Sequence, residues 1–387
     1  FILGGIFMTK AQICIMISIV IYLVSMVMIG VVYSKKTKNV GDFYLGGRKL
    51  GPLVTAMSAE ASDMSSYLLM GLPGRALVSG LAEVGWTVIG LAIGTYLNWL
   101  IVAKKLRKYS ARINAITIPD YFSKRYKDNS RLIMAVAALM IIIFFVPYTA
   151  SGFAACGKLF GTLFGIDYHI AMVVSAIVIV GYTSLGGFNA ASMTDFIQSI
   201  IMTAALIIVL VFGVNKAGGM EQVIANANNL AGYLDVFKGY DAATNSAGSF
   251  GAIKVVSTLA WGLGYFGMPH ILLRFMAIED PNKVKISRRV AEIWVVISMA
   301  VAVLIGVVGM AMVKEGALPV FDDSETIIQI ATLLSKVGVV PALLAGIILA
   351  GILASTMSTA DSQLLAASSA ASENIIGGLF RIKLNGS

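Results

Sequence analysis

The stretch Leu50-Gly-Pro-Leu-Val-Thr-Ala-Met-Ser-Ala-Glu60-Ala-Ser-Asp63-Met-Ser-Ser-Tyr67-Leu-Leu-Met-Gly-Leu-Pro-Gly74 is long and apolar enough to cross a bilayer, yet Glu60, Asp63, Ser58, Ser62, Ser65 and Ser66 crowd its middle. An ionisable side chain near the centre of a membrane helix costs at least about 2.5–3.5 kcal/mol on insertion scales, so two within four residues mark a functional segment. Hydrocarbon satisfies no backbone group, so an interrupted helix needs a cavity lined by protein. Hard oxygen donors without His or Cys suit alkali cations better than transition metals. The segment is therefore predicted to be a broken helix whose freed carbonyls and hydroxyls face a cation. The alternative is an unbroken helix with a wet face turned toward a neighbour.

The rest of the chain supplies the membrane setting. Its 387 residues are 58% hydrophobic and 13% charged, with a mean hydropathy of +0.86. Soluble chains are roughly 45–50% apolar and about 25% charged, so too little polar surface remains to coat a globule. The composition predicts an all-α integral membrane bundle in contact with lipid. Apolar stretches fall near 11–33, 50–72, 84–103, 132–164, 168–185, 190–214, 252–273, 290–313 and 326–372, giving nine crossings in one bundle over 1–387. The last is too long for one straight span, and Lys336 places its first part at the outer face. The run after Lys10 is of full spanning length and ends at Lys35, Lys36 and Lys38, a retained helix rather than a cleaved signal. Positions 1–7, before Met8, read as upstream sequence.

Charge gives the orientation. With the N-terminus outside and the C-terminus inside, the inner loops hold five basic residues from Lys35 to Lys49, nine from Lys104 to Arg131, five from Arg274 to Arg289, and Arg381 with Lys383. Together these are 21 of the 29 basic residues, the asymmetry expected of cytoplasmic loops. The net charge of +9 is thus a matter of topology and does not point to nucleic acid. The segment 215–251 reads as an external loop with one short helix, and Phe321–Glu325 as an external acidic tip. Cys14 and Cys156 lie in apolar runs and indicate neither disulfide nor metal chemistry. His169 and His270 are too few for a His-based metal cluster. Zinc-protease, Walker and nucleophile-elbow motifs are missing, which argues against an enzyme or an ATP-driven pump and leaves an ion gradient as the energy source.

Three further spans are polar or interrupted. In the ninth, Ser355, Ser358, Thr359 and Ser362 fall on one helical stripe with Asp361 at its edge. It is either a packing surface or the second half of a cation cage completed by the 50–74 segment. The sixth span opens with Ser192-Met-Thr-Asp195, where Asp195 either caps the helix near the inner face or forms a cation exit site. The seventh contains Trp261-Gly-Leu-Gly-Tyr265-Phe-Gly-Met-Pro-His270, which cannot be a uniform helix at low cost. Trp261 and Tyr265, four apart, are expected on one face beside the break, as core or as ligand box, with Tyr148 after Pro147 facing the same cavity.

These residues resemble the sodium:solute symporter family, most closely its bacterial sodium/proline symporters. The strings are Tyr44-Leu-Gly-Gly-Arg48 with Leu50-Gly-Pro52, Ala61-Ser-Asp-Met-Ser65 with Leu68-Leu-Met-Gly-Leu-Pro-Gly74, Pro119-Asp-Tyr-Phe122, Tyr182-Thr-Ser-Leu-Gly-Gly-Phe188, Trp261-Gly-Leu-Gly-Tyr-Phe-Gly267 with Pro269-His270, and Met357-Ser-Thr359. The resemblance implies the LeuT-like inverted-repeat fold with an extra N-terminal helix. It implies Na+ held by carbonyls of Ala61, Met64 and Ser355 and hydroxyls of Ser358 and Thr359. Asp63 would serve sodium coupling with Ser65 in support, Asp195 the inner sodium path, and Arg48 coupling. Proline would contact Tyr148, Trp261 and Tyr265, with Tyr67 and Pro269 lining the pocket. Proline carriers of this kind typically have Trp at 67, Gly at 66 and Gln at 268, where this chain has Tyr67, Ser66 and Met268. Asp361 stands near a second sodium site that is usually small or hydroxylic, and is expected to take a second cation or a proton.

The expected function is sodium-driven import of L-proline by alternating access across the bacterial cytoplasmic (inner) membrane, with no obligate protein partner. The alternatives are another solute (pantothenate, a sugar acid, an osmolyte) or a solute sensor of the same fold. A membrane enzyme has no catalytic constellation to support it. Members of the family run on for about four helices beyond the ninth, so the sequence reads as the N-terminal part of a longer architecture, with C-terminal helices missing.

Overall fold

In the computed structural model of the chain, residues 2–3, 6–35 and 37–381 are described. Positions 1, 4 and 5 of the upstream stretch and the basic residues Lys36 and Lys383 lie outside them. The helices in chain order are α1 (Lys10–Ser34), α2 (Val40–Leu45), α3 (Pro52–Met64), α4 (Leu72–Ser79), α5 (Leu81–Leu97), α6 (Lys104–Arg112), α7 (Ile118–Arg125), α8 (Leu132–Phe164), α9 (Tyr168–Lys216), α10 (Met220–Asn228), α11 (Ala252–Leu259), α12 (Pro269–Ala277), α13 (Val284–Lys314), α14 (Thr326–Ser335) and α15 (Val339–Ser369). Among the described residues, six helical runs are long and apolar enough to cross a membrane: 10–34, 81–112, 132–164, 168–216, 284–314 and 339–379.

α1 shows how such helices sit. Thr9 caps it, its side chain accepting from the Gln12 amide while Gln12 answers the Thr9 backbone. Ile15, Ile19, Tyr22, Met26 and Gly30 form its buried stripe, spaced by threes and fours as one helical face requires. Ile17, Ile21, Val24 and Met28 are exposed. A helix apolar all round, buried on one face only, suits a bundle bathed in lipid.

Two spans are broken. α3 ends at Met64; Ser65 takes φ 51°, ψ −167°, a region ordinarily left to glycine. The chain resumes as a π-helical turn, Tyr67–Gly71, that leads into α4. α11 passes into a 3₁₀ run, Ala260–Gly267, and breaks at extended Met268 before Pro269 opens α12. Glycine lets α5 approach that run backbone to backbone: a Cβ on Gly262 would sit 1.9 Å from the Gly90 carbonyl oxygen, and one on Gly94 2.3 Å from that of Gly262.

α9 has 49 residues and turns at Gly187 (φ 60°, ψ −155°). Unbroken, it would be about 74 Å long at 1.5 Å per residue, far more than a ~30 Å hydrocarbon core. Phe43 of α2 packs where a Gly187 side chain would stand. Within 215–251, α10 is joined by an antiparallel hairpin, Lys238–Asp241 with Ser246–Ser249. The sequence predicts only a short helix in this loop, because Lys238-Gly-Tyr-Asp carries no clear alternation of apolar residues.

Candidate cation and solute site

The last turn of α3 ends inside the bundle, so the carbonyls from Ala61 to Met64 have no helical donor ahead of them. They also form the negative end of a helix dipole, which favours a cation. α15 brings its hydroxyl stripe to this end. Ser358 Oγ donates to the Ala61 carbonyl at 2.8 Å and lies 3.3 Å from that of Ser355; Thr359 Oγ1 is also 3.3 Å from the Ser355 oxygen. Ala61, Ser355, Ser358 and Thr359 are all buried. Two carbonyls and two hydroxyls from separate spans thus converge, with Met64 in the same last turn of α3. Neutral hard oxygens in this number fit an alkali cation, and the hydroxyl protons must swing away to admit one.

The break at Ser65 also gathers aromatic residues that are expected to meet a solute. The phenol of Tyr265 engages the Asp63 carboxyl, and that of Tyr148 engages Ser65. One carboxylate oxygen of Asp63, Oδ2, is buried with no hydrogen-bond partner, a demand that a bound cationic group would meet. Tyr67 and Trp261 stack obliquely, ring centroids 4.9 Å apart. Pro269, at the first position of α12, is buried. Asn98 Nδ2 holds the Tyr265 carbonyl at 2.8 Å.

The expectation that Trp261 and Tyr265 share a face is corrected. Trp261 is 48% exposed and Tyr265 6%. The run is wound as 3₁₀ helix, in which residues three apart align and the fourth lies about a third of a turn away. The polar stripe of the 50–74 segment divides too: Glu60 turns from the cage and accepts from Trp99 Nε1 at 2.9 Å.

Asp195 neither caps a helix nor lies at a water-exposed end. It stands eight residues past the turn in α9, is wholly buried, and pairs with Arg274 Nη2 at 2.7 Å. Ser58 Oγ donates to the same carboxylate oxygen at 2.6 Å and receives Arg274 Nε at 2.8 Å. Arg274 also reaches Ser362 Oγ at 2.5 Å and the His270 carbonyl at 2.7 Å. The sequence places Arg274 among the inner-loop cations, but it is 1% exposed and belongs to the core. Its neighbours Ile271-Leu272-Leu273 and Phe275-Met276-Ala277 carried the missed signal, since an ionisable residue amid apolar ones is a functional candidate by default. Asp361 adjoins this group, accepting from Tyr182 Oη at 2.8 Å and Ser362 Oγ at 3.0 Å.

Arg48 lies apart from the cage, beneath α12. Its guanidinium donates to Ser110 Oγ, Met276 O, Ser110 O and Ala115 O at 3.0, 2.8, 3.1 and 2.5 Å. Burial and the nearby Arg107 lower its pKa to about 10, so it stays charged at neutral pH. It clamps α12 to α6 through a fork that lysine does not possess.

A family model described as the sodium:solute symporter family matches residues 43–383. The osmoregulated proline transporter of Bacillus subtilis (strain 168) is 42% identical over 371 residues, covering 95% of this chain and 72% of that protein. The sodium/proline symporter of Escherichia coli (strain K12) is 38% identical over 372 residues, 95% of this chain and 71% of that protein. Among solved structures, a substrate-bound, outward-open Na+-coupled sialic acid symporter superposes with a TM-score of 0.80 over 97% of this chain and 76% of its own, at 20% identity. That likeness establishes the LeuT-like fold. The chain belongs to the sodium:solute symporter family.

Proposed function

We propose that the chain imports L-proline together with sodium by alternating access. The observation that carries this reading is the convergence of the Ala61 and Ser355 carbonyls on the Ser358 hydroxyl, at the broken end of α3. Sodium there, held by Ala61, Met64, Ser355, Ser358 and Thr359, joins α3 to α15. Joining them raises the population of the state in which the solute residues are assembled, since a ligand shifts an equilibrium only by binding one state better. Proline would rest among Tyr67, Tyr148, Trp261, Tyr265 and Pro269, its ammonium toward Asp63 and supported by Ser65. Asp195 lines the inner sodium path, released when its bond to Arg274 opens, and Arg48 transmits the change to α12. Asp361 takes a second cation or a proton.

The chain is read as one bundle of nine crossings in a bacterial cytoplasmic membrane, N-terminus outside and C-terminus inside. The two broken spans and the turned α9 supply the crossings that straight helices do not. Tyr67 favours a second reading, a related small solute, because a phenol replaces the indole of proline carriers in the wall against Trp261. Uptake of labelled proline into vesicles decides. It should require an inward sodium gradient and collapse in Asp63→Asn; uptake indifferent to sodium would overturn the mechanism, and uptake of another solute alone would reassign the cargo.

A further inference from the structure

Outside the cation and solute residues, a cavity of about 550 Å³ opens between α6, α7 and the seventh span. Ile101, Val102, Leu106, Phe266 and Leu272 form its apolar floor, and Lys105, Lys108, Arg112 and Arg125 stand around it. Tyr109 and Tyr121 complete the wall, edge to face with centroids 5.9 Å apart, and the Arg125 guanidinium lies 4.9 Å from the centre of the Tyr109 ring. All four cations are exposed. Among the described residues none of them has a carboxylate within ion-pair distance, whereas Lys124 and Lys283 are each paired, to Asp120 and Glu279. No acidic residue lines the cavity.

We propose that this groove binds the head of an anionic glycerophospholipid, its phosphodiester among the four cations and the start of its acyl chains along the apolar floor. The inference goes beyond proline transport and rests only on the proposed orientation, which puts α6 and α7 at the cytoplasmic face. Charge complementarity selects the occupant. Four unpaired cations over a greasy floor suit a ligand that is anionic at one end and apolar at the other, and basic pockets between membrane helices on this side take such heads. A bound head would bridge α7 to α6, and α6 is tied to the end of α12 by Arg107, whose Nε donates to the Ile278 carbonyl at 2.5 Å.

The test is binding of dioleoylphosphatidylglycerol to the purified protein in neutral detergent, followed by native mass spectrometry, with dioleoylphosphatidylcholine and inorganic phosphate as the other arms. One phosphatidylglycerol should be retained in preference to phosphatidylcholine. Lys108→Gln and Arg125→Gln should each weaken retention about fivefold, the factor set by ~1 kcal/mol per basic residue. Lys124→Gln and Lys283→Gln, whose charges are already paired, should leave it unchanged. These single exposed substitutions are chosen because removing all four cations risks misfolding. Equal retention of both lipids, or equal loss in the paired-lysine variants, would overturn the proposal. Competition by millimolar inorganic phosphate would assign the site to a free anion instead. A groove closed by a second copy of the chain would retain neither lipid and would dimerise, which also overturns it.

Discussion

Arg274 and Asp195 meet at 2.7 Å between α12 and the second arm of α9, with both side chains removed from solvent. Removing one member strands the other, and breaking a buried pair in this way costs about 3–5 kcal/mol. Arg274→Met and Asp195→Asn should each lower the thermal midpoint markedly, and Arg274→Met combined with Asp195→Leu should recover much of the loss. Single variants as stable as the parent would mean that the charge is neutralised by some other group.

Ser358 touches oxygens of both α3 and α15. Ser358→Ala deletes one oxygen from the cage while leaving its two carbonyls. The sodium concentration for half-maximal proline uptake should rise about tenfold or more, the equivalent of ~1.4 kcal/mol. Ser369→Ala, a buried serine on the same helix that bonds only its own backbone at Ala366, should leave sodium dependence unaltered. An equal shift in both would trace the effect to helix packing.

Gly262 lies against Gly90 with no room for a methyl group. Gly262→Ala must push the 3₁₀ run off α5, and overpacking of this kind commonly costs ~1–3 kcal/mol. Since Trp261 and Tyr265 ride on that run, proline binding should weaken along with the thermal midpoint. Calorimetric titration with proline, beside a melting curve, checks both; tight binding in a destabilised variant would separate the run from the solute wall.

Asp322 lies in the loop before α14. Hydrogen bonds from Ser324 and Lys158, with the Lys158 charge, hold its pKa at about 2, below the ordinary 3.8. A depressed acid stabilises the folded loop above its ordinary pKa, and that contribution fades as pH falls toward about 2. Asp322→Asn should therefore speed amide exchange at Ser324 and Glu325 at neutral pH, with the difference from the parent shrinking between pH 4 and pH 2. The effect should be small and weaken with salt, because Asp322 is half exposed and exposed pairs are screened. A difference that persists at pH 2 would point to packing rather than charge.

Much of this was legible because the membrane imposes simple accounting. Glu60 and Asp63 amid serines announced a broken helix, and the structure breaks it at Ser65. Glycines with Pro269 announced the other break. Side-chain destination was less legible. Charge near a span end resembles a loop, so the sequence alone groups Arg274 with the loop cations, and only the tertiary fold supplies Asp195 as its partner, 79 residues away. Trp261 and Tyr265 parted because a four-residue spacing fixes a shared face only in α-helix, and glycine permits the tighter winding. The 238–249 hairpin rests on backbone pairing in a polar loop, where hydropathy has no period to read.

The turn of α9 at Gly187 bears on how the protein is made. Tyr182 and Asp195 are thirteen residues apart yet reach one cluster through Asp361, Ser362 and Arg274. Along an unbroken helix they would stand about 20 Å from each other, a run that the turn at Gly187 interrupts. No hydrophilic linker separates the two arms, which meet at Gly187 itself. The strongly apolar first arm therefore adjoins the arm that carries Ser192, Thr194 and Asp195 into the membrane, and Asp195 is made 79 residues before its partner Arg274.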